Sequence, residues 1–187
     1  MAMRLQELHP SIVHFPLTLL PLSIGADLLG RLTGSDSLSD LGRRTMPLAA
    51  ASAVTAAAAG LIAQEEVKAE GPAMDALKTH RSINIGVVAA GAALAFWRAR
   101  QERASAGYLM AGLLGLAAAT YSAYLGGHMV YELGVGVKPA DGLQQGTSPE
   151  LVPSKAGRAA RKAAKDLKTG VQHTVKETAE GDILPAL

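Results

Sequence analysis

A chain of 187 residues with a formal net charge of +2 and no cysteine is long enough for one ordinary domain and short for two. Without cysteine it holds no disulfide, no covalently attached c-type haem and no Cys-ligated iron–sulfur or zinc site. Its charges gather in short clusters and in the last third, which leaves long stretches nearly free of them.

The first apolar run, residues 10–32, carries Asp27 as its one charge before Arg31. It opens in the octet "HPSIVHFP", residues 9–16, where two histidines and two prolines stand at the mouth of a hydrophobic segment. The start of the chain is not strongly basic and "LLGRLTGSDSL" is a poor cleavage region, so the run reads as a mature helix and not as a signal peptide. Pro10 suits a first helical position. Pro16 cannot receive a normal helical bond and frees the carbonyl of Ile12. Either the helix kinks at Pro16, or residues 9–15 form an interfacial turn and the span starts there. In both cases the stiff segment is expected to aim His14 inward, because irregular backbone at this depth needs protein or water to cover it. Pro21 offers a second kink, and Asp27 is expected to pair with Arg31 four residues on.

Residues 45–63, 82–97 and 105–131 form three further runs without any charged residue. A membrane span needs about 20 mostly apolar residues. The run 82–97 is short, but Arg81 and Arg98 can snorkel from its ends. A soluble helix keeps one polar face, and "TMPLAAASAVTAAAAGLIA" has none. The expectation is an all-α integral membrane protein with four spans. Alanine and glycine at three- and four-residue spacing, as in "GVVAAGAALA" and "GLLGLAAATYSAYLGG", let helix backbones approach closely where lipid offers little hydrophobic drive. The connections 33–44, 64–81 and 98–104 are short and predict an up-down four-helix bundle.

With four crossings, the N-terminus, the second connection and the C-terminus share one side of the membrane. That side collects His9, His14, His80 and His128, four of the five histidines. The other side carries Arg31, Arg43, Arg44, Arg98, Arg100 and Arg103, with Trp97 as an interface anchor. The histidine side has Arg4, Lys68, Lys78, Arg81 and Lys138 close to the spans. Six basic residues against five bias the arginine side toward the cytoplasm and the histidine side outward.

On the last span, Tyr121, Tyr124, His128 and Tyr131 fall within an arc of about 80°. An interfacial aromatic belt accounts for Tyr131 and fairly for Tyr124. Tyr121 lies about ten ångströms deeper than His128, where a buried hydroxyl needs a partner. His80 and Asn84 share a face of the third span at i, i+4. The glycines of "GGHMVYELGVGV" follow a helix and lack a G-x-x-G spacing, so ending a helix and allowing close approach is their expected role, not dinucleotide binding.

"HPSIVHFPLTLL" together with "GGHMVYELGVGV" resembles the bacterial membrane family catalogued as domain of unknown function 2231, over roughly residues 5–138. The matches are His9, Pro10, Val13, His14, Phe15 and Pro16 at the start, and Gly126, Gly127, Val130, Tyr131, Gly134, Val135, Gly136 and Val137 at the end. The chain departs from the pattern at Leu133, where family members often carry a histidine. The resemblance implies a four-span module of the bacterial plasma membrane. Such modules also occur joined to Rieske or c-type cytochrome units, which implies an electron-transfer setting.

Haem b takes axial imidazoles from opposing helices of a bundle, and histidines on the first, third and fourth spans meet that requirement. His14 with His128 is the expected ligand pair for the haem iron, with His80 and His9 as the second choice. Tyr121 and Tyr124 would line the macrocycle, and Arg81 would pair a propionate. The partner of such a module is a quinone or a redox protein. A copper or zinc site is an alternative use of the same imidazoles, and a cofactor-free structural or assembly subunit is another. A stand-alone enzyme is not expected, since no serine, cysteine or carboxylate stands in a nucleophile context.

The chain divides into a bundle at 1–138, a turn-rich linker at 139–154 and a basic tail at 155–187. In the tail Ala156, Ala159, Ala160, Ala163, Ala164, Leu167, Val171 and Val175 recur at helical spacing, while Lys155, Arg158, Arg161, Lys162, Lys165 and Lys168 cover the other face. This weakly amphipathic segment suits anionic lipid through residues 155–168, or a docking partner. A flexible, partly helical tail is the plainer reading. Its basic charge suits the cytoplasmic side, against the count above. Without aromatic interleaving or a recognised fold it gives no support for nucleic-acid binding.

Overall fold

Long charge-free runs fold as long helices because a backbone in lipid must satisfy its own hydrogen bonds. The computed structural model describes residues 4–137 and 152–181; Lys138 and most of the 139–154 linker lie outside them. Among the described residues the order is a short helix α1 (Leu8–Ile12), then α2 (His14–Thr33), α3 (Asp36–Gln64), α4 (Pro72–Ala99), α5 (Ala106–Tyr131) and α6 (Ala156–Ala179). No strand is present among them. Four segments are long and apolar enough to cross a membrane: Leu5–Thr33, Asp36–Gln64, Pro72–Ala99 and Ala106–Tyr131. The all-α membrane fold is as expected, and the basic tail is helical over Ala156–Ala179.

The helices run past the expected borders. The 33–44 connection shrinks to Gly34 and Ser35. Gly34 closes α2 in the left-handed region at φ 72°, which glycine enters at no steric cost. Asp40 pairs with Arg43 at 2.9 Å and with Arg44 at 2.7 Å, so charges that suggested a loop instead decorate an extra stretch of α3 at i, i+3 and i, i+4. The third span gains an N-terminal stretch in the same way, starting at Pro72 after Gly71 at φ 53°. At the chain start, the break falls between α1 and α2 at Val13. Pro16 then occupies the first turn of α2, where a missing N–H costs nothing, and α2 continues through Pro21.

Two compact units divide the chain. One holds residues 12–56 and 83–122. Its core packs Leu20 and Ile24 of α2, Met46 of α3, Leu94 of α4 and Tyr108 of α5. Close approach is built from glycine: a Cβ at Gly112 would stand 2.4 Å from Ile24 Cδ1, and one at Gly30 2.7 Å from Ser39 Oγ. Outward, Phe96 is 64% and Leu114 69% exposed. Apolar surface of this kind on long helices is what acyl chains cover.

The other unit holds, of the described residues, 4–11, 57–82, 123–137 and 152–181. Here α6 lies against the end of α3. A Cβ at Gly170 would stand 2.7 Å from the Leu61 carbonyl oxygen, so glycine lets the two backbones meet. Lys162 Nζ donates to both Asp166 oxygens at 2.8 and 2.9 Å and also to Glu66. Arg81 pairs with Glu177, and His173 Nδ1 lies 3.2 Å from Glu65 Oε1.

Candidate functional site

The histidine-bearing unit brings His9 of α1 and His80 of α4 together. Their rings meet edge to face, with centroids 6.1 Å apart and planes at 84°. Both side chains are half-buried. Each imidazole has a glycine against it: a Cβ at Gly60 would stand 3.2 Å from His9, and one at Gly126 3.4 Å from His80. Larger residues on α3 and α5 at those two positions would press on the rings. This pair is the second-choice pair of the sequence reading, and its closeness comes from helices far apart in the chain.

The other expected site residues stand differently. His14 is exposed, so the prolines do not aim it inward. The break at Val13 places His14 in the first turn of α2, on the outer side of Pro16, which is buried. His128 is half-buried and stacks on Tyr124 one turn earlier, with centroids 6.1 Å apart and planes at 21°. Tyr121 is 52%, Tyr124 64% and Tyr131 87% exposed. The stripe therefore lies on the outside of its helix, where a belt of aromatic residues meets lipid headgroups, and Tyr121 is not buried. Arg81, expected at a propionate, donates to Gln64 Oε1 at 3.2 Å and pairs with Glu177.

A second polar cluster, in the other unit, was not anticipated. Asp27 and Arg98 are both 0% exposed. Arg98 Nε donates to both Asp27 oxygens at 2.9 Å, and Nη2 stands 2.8 Å from Oδ1. Nη1 donates to the Gln101 carbonyl and Nη2 to the Ser39 carbonyl, each at 2.7 Å. Arg31 is not Asp27's partner; its Nη1 donates to the Ala104 carbonyl at 3.1 Å. Gly42 makes room for the clasp, since a Cβ there would stand 2.4 Å from Asp27 Cγ. Ser23 Oγ donates to the Gly42 carbonyl at 2.9 Å, and Tyr108 is buried beside Ser23 and Asp27. The legible signal was Asp27 itself: a carboxylate deep in an apolar run demands a partner from another helix. With every guanidinium nitrogen engaged, this cluster joins α2, α3 and the α4–α5 connection.

Among the described residues no group of three or more His, Asp or Glu side chains is placed to hold a metal ion. The family model for predicted membrane proteins, DUF2231, matches residues 6–139. The chain belongs to this family. The match takes in the four apolar segments of the DUF2231 protein, the His9–His80 pair and the Asp27–Arg98 clasp, and it stops before α6. No curated protein and no solved structure matches the chain.

Proposed function

We propose that this multi-pass membrane protein is a haem b-binding electron-transfer module of the bacterial plasma membrane whose axial ligands are His9 and His80. The observation that carries the reading is the imidazole pair at 6.1 Å. It brings two half-buried imidazoles from α1 and α4 within reach of one group. Bound haem supplies one-electron exchange with a quinone or a redox protein. The chain's own contribution is to carry the two imidazoles on α1 and α4. His14, exposed, and His128, stacked on Tyr124, rank below the His9–His80 pair as ligands.

The test is the visible spectrum of detergent-purified full-length protein supplied with haem. A Soret band with the split visible bands of two-histidine ligation is expected, lost in His80→Ala and His9→Ala and retained in His14→Ala. Protein that stays colourless while folded overturns the proposal. It would favour the second reading, a cofactor-free assembly subunit, for which the close small-residue packing at Gly30 and Gly112 is the supporting observation.

A further inference from the structure

α6 docks by only one edge of its hydrophobic pattern: Ala159 is buried, whereas the valines further round the helix are exposed. At 100° per residue its outward and inward residues fall into three sectors, each about 80° wide. Lys162, Asp166, Gly170 and Glu177 form the sector that meets α3 and α4. Ala164, Leu167, Val171 and Val175 form a second, with Val171 44% and Val175 62% exposed. Arg158, Arg161, Lys165 and Lys168 form a third, all exposed. The apolar and basic sectors adjoin, and their centres are turned from the docked one by about 140° and 120°. The contacts of α6 on Leu61, Gln64, Glu65 and Glu66 fall where the apolar span of α3 ends.

The geometry points to α6 as an in-plane helix of the bilayer surface: its valine edge enters the acyl boundary beside the spans, and its arginine–lysine row binds anionic lipid headgroups of the cytoplasmic leaflet. A helix with an apolar strip flanked by cations matches that environment. Anionic lipid draws juxtamembrane cations to the membrane surface. Docking through ion pairs leaves the apolar strip free for acyl chains, where a water-soluble cover would have turned the strip inward. The same placement adds four exposed cations to the histidine-bearing side. Arg98, at 0% exposure, ceases to count as a surface charge on the opposite side. The balance of Lys and Arg then puts the histidine-bearing side in the cytoplasm, opposite to the expectation from the span ends alone.

The absence of natural cysteine allows a direct test with Val175→Cys and Gln172→Cys in the full chain. In nanodiscs of phosphatidylcholine with phosphatidylglycerol, Val175→Cys should react with a charged maleimide more than about tenfold slower than Gln172→Cys. A fluorophore on it should be quenched by brominated acyl chains. Replacing Arg158, Arg161, Lys165 and Lys168 together by Gln should return the labelling rate to that seen in phosphatidylcholine alone. Equal labelling of both cysteines in anionic discs overturns the proposal. So does protection of Val175→Cys that is the same in neutral discs, which indicates contact with a second copy. For orientation, Gln172→Cys should label in inverted vesicles and not in intact cells; the reverse overturns the cytoplasmic assignment. None of these variants touches His9 or His80, so a failure here and a colourless protein are separate results.

Discussion

The two polar clusters of this protein use charge in opposite ways. In the Asp27–Arg98 clasp both side chains are fully buried and each guanidinium nitrogen has an acceptor. At the histidine-bearing unit one member of each pair is partly wetted: the Lys162 side chain is 27% exposed against a buried Glu66, and Glu177 25% against Arg81 at 12%. Water reaches neither member in the first case and one member in the second. A sealed pair behaves as permanent structure, because removing one member leaves an uncompensated charge. A wetted one behaves as a reversible contact, at the low end of local stability.

The sharpest way to break the contrast is Arg98→Ala. It should cost about 3–5 kcal/mol through the stranded Asp27 carboxylate, read as a large fall in thermal midpoint in detergent. Asp27→Leu combined with Arg98→Met should recover most of that loss; if the double variant is as unstable as the single one, charge compensation is not what the clasp provides. Next comes Gly42→Ala, whose Cβ would meet Asp27 Cγ at 2.4 Å and should cost about 1–3 kcal/mol by overpacking. The histidine-bearing unit should respond locally. Gly170→Leu cannot keep the 2.7 Å approach to the Leu61 carbonyl, so α6 should become sensitive to protease and lose amide protection while the midpoint of the spans stays in place.

Lys162 gives that local contact a pH dependence. Burial alone would lower the pKa of its ammonium group, but hydrogen bonds to Asp166 and Glu66 outweigh burial and raise it above the ordinary 10.5. A cation whose pKa is raised on docking contributes fully below 10.5 and loses that contribution as pH climbs through the raised value. Amide exchange within α6, corrected for its intrinsic pH dependence, should therefore show protection falling at strongly alkaline pH. In Lys162→Met that alkaline step should be absent. The smallest effect belongs to Asp40→Ala at the exposed Arg43 and Arg44 pairs, about 0–1 kcal/mol in the same melting assay.

The spans were legible because runs without charge leave few alternatives to crossing a bilayer. Their ends were less so: Asp40, Arg43 and Arg44 look like a loop in composition, yet their spacing supports another stretch of helix. Asp27 was visible as a group in need of a partner, but a local i, i+4 rule selects Arg31, whereas Arg98 is 71 residues away. His14 was misjudged for a geometric reason. It stands two residues before the buried Pro16, and two residues turn a side chain by about 200°. The periodic alanines and valines identified α6 as a helix. They did not mark the side that meets α3: the buried Ala159 falls in that sector, but the contact is made by Lys162, Asp166 and Gly170, which carry no hydrophobic signal.

The 71-residue separation within the clasp also imposes an order on biogenesis. At about 5–20 residues per second the ribosome needs roughly 4–14 s to reach Arg98 after Asp27 has been made. Until α4 arrives, Asp27 in the α2–α3 hairpin lacks the guanidinium that seals it in the finished fold, and only the more distant charges of Arg31, Arg43 and Arg44 stand in its own hairpin. The clasp can therefore close only after α4 has been inserted.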